Sequence, residues 1–507
     1  MATAASEKDV LISERVAGGI LPKVLNSFDM VAIFVAIVLF VSNAAVVSGA
    51  GGAAYIFWIV GFLTFLIPGA IVTGQLGLMF PGEGSIYVWT HKAFGKFWGF
   101  FAGFCAWWPG VLVMVATGAA VVTLITQLGS NHNQTWLSEP WEQGVVILLV
   151  IAFSMVLSWL RFRAAQNLVN VIFVAYGGAI LLVGLAGLFW LINGNAPNGD
   201  FTATGWAPSS DKWTFYGLVI LALLGIEVPL NMGVEIRNTR SITKYLFWGS
   251  IVVMAAYLFS TFGVQMTVPR AVQLSANPAA IGAAVQLGFG AAGTVLSDIV
   301  IVVFIGFFLF NTAVYNYSFG RLLFVSGLDQ RLPAAMSKVN KNRVPWVAVL
   351  VQSIIAALVA AISYFLPYLF AGGADTATLS TRVYDVLQAA VTVIWCISMV
   401  ILFVDVVIIR SKYQEQFNQT QLAPSWAFYL CSLIGLVASA VGIVVTFLNP
   451  WTTSIAESDW WEVLLVIALA SLVVGAIVYF IGQATVARSS PPPAAVDTSG
   501  AAPAASD

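Results

Sequence analysis

Charge is what this sequence has least of. Of its 507 residues only 8% are Asp, Glu, Lys or Arg, while 60% are hydrophobic. A soluble domain carries roughly a quarter of its residues as charges. A water-soluble globular fold is therefore excluded, and a mean hydropathy of +0.93 puts the chain in lipid as a polytopic membrane protein. The three cysteines, Cys105, Cys396 and Cys431, all fall inside hydrophobic runs and none belongs to a CxxC, which excludes a readable disulfide framework or thiolate metal centre. The two histidines, His91 and His132, lie in different polar connections without ligand-spaced neighbours. They fit exposed loop positions better than metal ligation, so neither metal nor cofactor is expected. No GxxxxGK[ST] occurs, nor any soluble domain large enough to hold a nucleotide, which argues against ATP-driven transport; no nucleic-acid partner is expected. A membrane enzyme finds no nucleophile motif to stand on. Residues 1–27 mix Lys8, Arg15 and Lys23 with acids and lack an apolar core, so no cleaved signal peptide is expected.

Long apolar runs are what the sequence does have. A helix needs about 20 apolar residues to cross the hydrocarbon. Twelve candidates lie near 28–49, 53–80, 97–127, 144–160, 168–192, 214–235, 245–267, 296–322, 344–370, 382–409, 425–448 and 461–486. The fold class expected is an all-α polytopic membrane protein with twelve transmembrane helices. The more polar, amphipathic stretch at 271–290 predicts a short external helix. The Pro/Ala/Ser-rich tail from Arg488 predicts disorder.

The basic residues set the orientation. With the N-terminus inside, 18 of the 21 Lys and Arg fall in cytoplasmic segments, and only Lys212, Arg270 and Arg382 fall outside. This alternation predicts a multi-pass protein of the cytoplasmic membrane with both termini cytoplasmic.

Two of the spans carry signs of interruption. The first runs smoothly through "MVAIFVAIVLF" and then becomes "VSNAAVVSGAGG", where Ser42, Asn43, Ser48 and the glycines weaken a helix. The sixth contains "GIEVP". There Pro229 removes an amide donor and disfavours helical geometry at Val228, and Gly225 eases unwinding. A broken backbone survives in lipid only where protein or a cavity satisfies it, so two breaks at matching places point to a binding site. Glu227 lies near the middle of the sixth span. It either bonds a freed carbonyl and shapes the break, or meets a substrate cation or carries a proton. Half-helix N-termini suit a substrate carboxylate, and a carboxylate side chain suits an ammonium. Together they fit a zwitterion, meaning an amino acid.

Three stretches resemble the amino acid–polyamine–organocation superfamily of transporters. "FPGEGSIYVWTHKAFG" (80–95) resembles its signature after the second span. "GIEVPLNMGVEIRNTR" resembles its sixth span and exit, with Glu235 and Asn238 in place. "YNYSFGRLLFVSGLDQRLPAAMSKVNKNRVP" (315–345) matches the end of the eighth span through Arg321, Asp329, Pro333 and Pro345. The resemblance covers roughly residues 20–480. It implies two inverted five-helix repeats, roughly 28–192 and 214–409, within a core at 28–409. A cytoplasmic segment at 1–27 would precede this core, with two peripheral helices at 410–486 and a tail at 487–507 after it. Substrate would lie between discontinuous spans 1 and 6. The substrate-binding residues it implies are Ser42, Asn43, Ala44 and Ala45 near the first break, and Gly225, Ile226 and Glu227 at the sixth. Tyr315 falls where some members stack an aromatic on the ligand, its alternative being a lipid- or helix-facing packing residue.

The sequence also departs from the family. "SNAAVVSG" replaces the usual Gly-x-Gly, Gln75 stands where a Glu is frequent, and Leu221 stands at a gating aromatic. The fifth span has no lysine for proton coupling, leaving exchange, uniport, sodium coupling or a proton on Glu227. Trp107, Trp108 and Pro109 of the third span could line the pathway or pack. Asp298 and Asp405 near span ends suit structural roles at the interface. The function expected is secondary transport of a small-molecule substrate, an amino acid, with a polyamine or other organic cation as the alternative.

Overall fold

The computed structural model describes residues 10–274, 279–366, 376–451 and 456–489. Lys8 and the tail beyond residue 489 lie outside them. Eleven helices are long and apolar enough to cross a membrane, and a bent pair makes a twelfth span among the described residues. In chain order, span 1 is the pair Ser27–Val38 and Ser42–Ala50, bent by 43°. Spans 2 to 6 are Ala53–Met79, Lys96–Asn131, Pro140–Trp159, Phe162–Ile192 and Ser210–Asn231. Spans 7 to 12 are Arg240–Thr267, Gly290–Leu328, Trp346–Tyr364, Asp385–Lys412, Ser425–Leu448 and Ser458–Thr485.

Every expected span has its counterpart, and the differences are instructive. Span 5 starts at Phe162 rather than near 168, and span 8 runs to Leu328 rather than 322. Apolar length gives out in the neighbourhood of a charge, but a helix continues where protein pairs that charge. Arg163 binds the buried Asp29 of span 1, and Arg321 is buried against Glu235. Span 1 itself begins at a firm cap. The Asn26 side chain accepts from the amides of Phe28 and Asp29, and the Asp29 carboxylate accepts from the Asn26 amide. This reciprocal pairing satisfies the orphan donors of the first turn.

Apolar side chains point outward along many spans, among them Leu149, Val171, Leu181, Leu358 and Leu448. A belt of that kind is untenable in water and ordinary in hydrocarbon. The chain is a multi-pass membrane protein.

The stretch expected as an amphipathic external helix is two short helices, Arg270–Leu274 and Ala280–Gly288, and the second is no surface feature. Ala280, Ile281, Ala284 and Val285 are buried, and the helix packs between spans 5, 7 and 8. Small residues permit the wedge: a Cβ on Gly288 would sit 2.6 Å from the Ala186 Cβ.

At the end of the bundle that carries most of the basic loops, hereafter the basic end, the segment before span 1 is ordered. A helix at Ile12–Ile20 is held by Ser13, whose amide and hydroxyl each donate to the Asp329 carboxylate at 2.7 Å. Glu14 pairs with Lys92 at 2.8 Å. The amides of Val24 and Leu25 both donate to the Glu235 carbonyl, and the Arg237 amide returns a bond to Leu25. The chain thus crosses the exit of span 6 before entering span 1.

Candidate functional site

Span 1 comes apart at residues 39–41, and Ser42 to Val47 already form the second half-helix. Ser42, Asn43, Ala44 and Ala45 are therefore its opening turn rather than the break itself. Nothing in "VLFV" weakens a helix, and the cause lies in other spans. Three tyrosine hydroxyls take up the freed backbone groups. Tyr176 of span 5 accepts from the Val41 amide at 3.1 Å and donates to the Leu39 carbonyl at 3.0 Å. Tyr257 of span 7 accepts from the Phe40 amide at 3.1 Å and donates to the Val38 carbonyl at 2.8 Å. Tyr315 of span 8 donates to the Ile37 carbonyl at 2.8 Å. In hydrocarbon such groups have no water to turn to, so these hydroxyls are what allow the break to exist.

Span 6 breaks where the sequence pointed. The helix Trp213–Leu223 ends, Gly225 adopts φ +101°, and a 3-10 turn resumes at Val228 with Pro229. Gly225 is required twice over. Its φ favours glycine, and a Cβ would clash with Ile37 Cγ2 and sit 3.2 Å from the Trp395 ring. The two breaks cross at this point. Tyr257 joins them, since its hydroxyl also lies 3.2 Å from the Ala222 carbonyl of span 6.

Glu227 is 1% exposed. One oxygen, Oε1, accepts the Trp395 indole N–H at 2.9 Å, while Oε2 has no hydrogen-bond partner among the described residues. Among those residues the amides of Ser42, Gly225 and Ile226 likewise find no partner. Donors from two broken helices and one free carboxylate oxygen thus occur at the same crossing. Aromatic rings flank it: Tyr315 stacks on Phe319 at 5.4 Å, Phe319 meets Trp395 edge-on at 5.6 Å, and Phe40 meets Tyr315 edge-on at 6.1 Å. Gly110 of span 3 gives the Phe319 ring its room, because a Cβ there would be 2.6 Å from it.

Tyr315 is accordingly not lipid-facing: it faces span 1, to which its hydroxyl is committed, and its ring stacks on Phe319. Trp107 and Trp108 bond Gln352 and Ser471 of spans 9 and 12, which makes them packing residues. Asp298 holds Asn131 and His132 at the end opposite the basic loops. Asp405 does not reach an interface, since it is fully buried and accepts from the Thr90 hydroxyl at 2.6 Å. His91 is not a loop residue either. It lies half-buried on the helix Ser85–Phe94, and burial, followed by Arg331 and Lys92, pushes its pKa down to about 4.

Sequence reasoning missed Tyr176, Tyr257, Phe319 and Trp395. Trp395 and Phe319 look like any aromatic in an apolar run. The two tyrosines left a signal, because a phenol near mid-span needs a partner for its hydroxyl.

A bundle of twelve spans with two crossing broken helices and a polar crossing point is the layout of a solute permease. Residues 25–473 match the protein family described as "Amino acid permease", and the chain belongs to that family. It is 26% identical over 342 residues to a probable agmatine/putrescine antiporter of Lactococcus lactis, covering 65% of this chain and 70% of the relative. With an aromatic amino acid transport protein of Escherichia coli it shares 24% identity over 433 residues, 81% of this chain and 86% of the relative. A gamma-aminobutyric acid permease of Bacillus subtilis is 23% identical over 342 residues, 65% and 69% of the two chains.

Proposed function

We propose that this chain is a secondary amino acid transporter of the cytoplasmic membrane, working by alternating access, with both termini cytoplasmic. The observation that carries the reading is the crossing of two broken spans at Gly225, with unpaired amides beside the free oxygen of Glu227. A substrate carboxylate would take the amides of Ser42, Gly225 and Ile226, with Asn43, Ala44 and Ala45 completing the half-helix N-terminus. Its ammonium would take Glu227 Oε2. The rings of Phe40, Tyr315 and Phe319 would meet an apolar side chain. On this reading spans 1–5 and 6–10 form the inverted repeats, and spans 11 and 12 stand outside them. A proton or sodium ion would couple transport.

A polyamine substrate is the second reading. The free Glu227 oxygen in an apolar, aromatic setting also suits an organic cation, and one relative is named for agmatine and putrescine. Counterflow in proteoliposomes separates the two. Vesicles are preloaded with unlabelled amino acids or polyamines, and entry of labelled substrate is followed for wild type and Glu227→Gln. Amino acid counterflow without polyamine competition, impaired in the variant, is the expected result. Counterflow driven by polyamines alone overturns it.

A further inference from the structure

Behind the site, at the basic end, lies a second charged cluster. Arg321 of span 8 is buried, and its Nε lies 2.9 Å from Glu235 Oε1 and 3.8 Å from Glu83 Oε1. Its Nη2 also reaches Glu235 Oε1 at 2.8 Å, and its Nη1 donates to the Tyr317 carbonyl. The guanidinium rests over the Phe162 ring at 4.9 Å. Glu83 Oε2 accepts the Val234 amide at 3.1 Å. Two acids therefore share one cation away from water, and Glu83 Oε1 and Glu235 Oε2 have no hydrogen-bond partner among the described residues.

The surrounding charges do not make up the deficit. Asp29 pairs with Arg163, and Glu14 with Lys92. Asp329 faces Arg331 across Tyr87. His91 is neutral above a pKa of about 4. With both acids ionised the cluster would hold an uncompensated buried charge, an expensive state. One proton resolves it, as in other close carboxylate pairs.

We propose that Glu83, Glu235 and Arg321 form a proton-binding site, occupied while the basic end is closed and emptied to that side as it opens. Burial, and then the charge of Glu235, hold the Glu83 carboxyl well above the usual carboxylate range, whereas Glu235 has the guanidinium. The proton therefore resides on Glu83, turned towards Glu235. On release, Glu83–COOH becomes Glu83–COO⁻ and the proton passes to water on the basic side.

The site is tied to the moving parts. Glu83 belongs to the link between spans 2 and 3, which bridges to Met232, while Gly84 and Ser85 bond Asn231. Glu235 lies at the exit of span 6, and its carbonyl holds the chain leading into span 1. Moving the basic-end halves of spans 1 and 6 away from span 8 would part Glu235 from Arg321, leave Glu83 with the guanidinium and water, and discharge the proton. Because alternation between sides rests on the transport reading, the test has one arm independent of it.

In that arm, infrared spectra of the full-length protein in vesicles without substrate follow the protonated-carboxyl stretch with pH. Wild type is expected to retain the band at pH values where an ordinary carboxyl has ionised, and Glu83→Gln to lose that component. Glu235→Gln should lose it too, since one acid and one guanidinium need no proton. Melting temperatures establish that each variant is folded. In the second arm, exchange is measured while the pH on the basic side is raised. Wild-type exchange should accelerate as the cluster loses its proton, whereas Glu83→Gln should give a flat profile. A band unchanged from wild type in both variants overturns the proton site even if no amino acid is transported. An unchanged pH profile in Glu83→Gln overturns its link to opening.

Discussion

The indole N–H of Trp395 in span 10 donates to Glu227 Oε1 in the broken span 6 at 2.9 Å. That single bond fixes which carboxylate oxygen stays free. A buried acceptor that loses its partner forfeits about 1–3 kcal/mol. Trp395→Phe should therefore raise the KM for transported substrate about tenfold with the protein still folded. An unchanged KM in counterflow would separate Glu227 from substrate binding.

Tyr257 serves both breaks, whereas Tyr315 serves one carbonyl. Interhelical hydrogen bonds in lipid average about 0.6 kcal/mol and reach about 1.7. Tyr257→Phe should lie near the upper figure and Tyr315→Phe near the lower. Thermal unfolding in detergent compares them, and a larger loss in Tyr315→Phe would contradict the assignment.

Two glycines should respond in opposite ways. Gly225→Ala meets Ile37 and a strained φ, while a Cβ on Gly177 of span 5 would meet nothing within 4 Å. The first substitution should abolish transport and reduce folded yield. The second should be neutral or stabilising by about 0.5–1 kcal/mol, as expected for Gly→Ala inside a helix. Fluorescence size-exclusion profiles and counterflow read both.

The distribution of Lys and Arg predicts which connections face the cell interior. With the half-exposed Cys431 replaced by Ser, cysteines introduced at Lys341 and Asn195, both exposed, should label from opposite sides. An impermeant maleimide added to whole cells should reach Asn195→Cys and not Lys341→Cys. The reverse pattern would invert the topology.

Spans and the sixth break were legible because their signals are local. Apolar length needs no partner, and Gly225 with Pro229 act within one turn. The first break was legible only as a neighbourhood. Its weakening residues, Ser42 onward, lie just after it, and its true position at Leu39–Val41 is dictated by hydroxyls from spans 5 and 7. Glu227 stood out as a charge in lipid, but its partner Trp395 lies 168 residues away in an unmarked apolar run. Asp405 misled for the same reason: position near a span end suggested an interface, and only packing shows Thr90 beside it.

The tyrosines at the first break grip main-chain atoms from Ile37 to Val41, not side chains. Replacing Ile37, Val38, Leu39, Phe40 or Val41 therefore leaves every one of those bonds a partner. The shape of the opening and the chemistry of its walls are under separate control. A chain built this way can drift in what it accepts, one wall residue at a time, without first losing the gap through which anything is accepted.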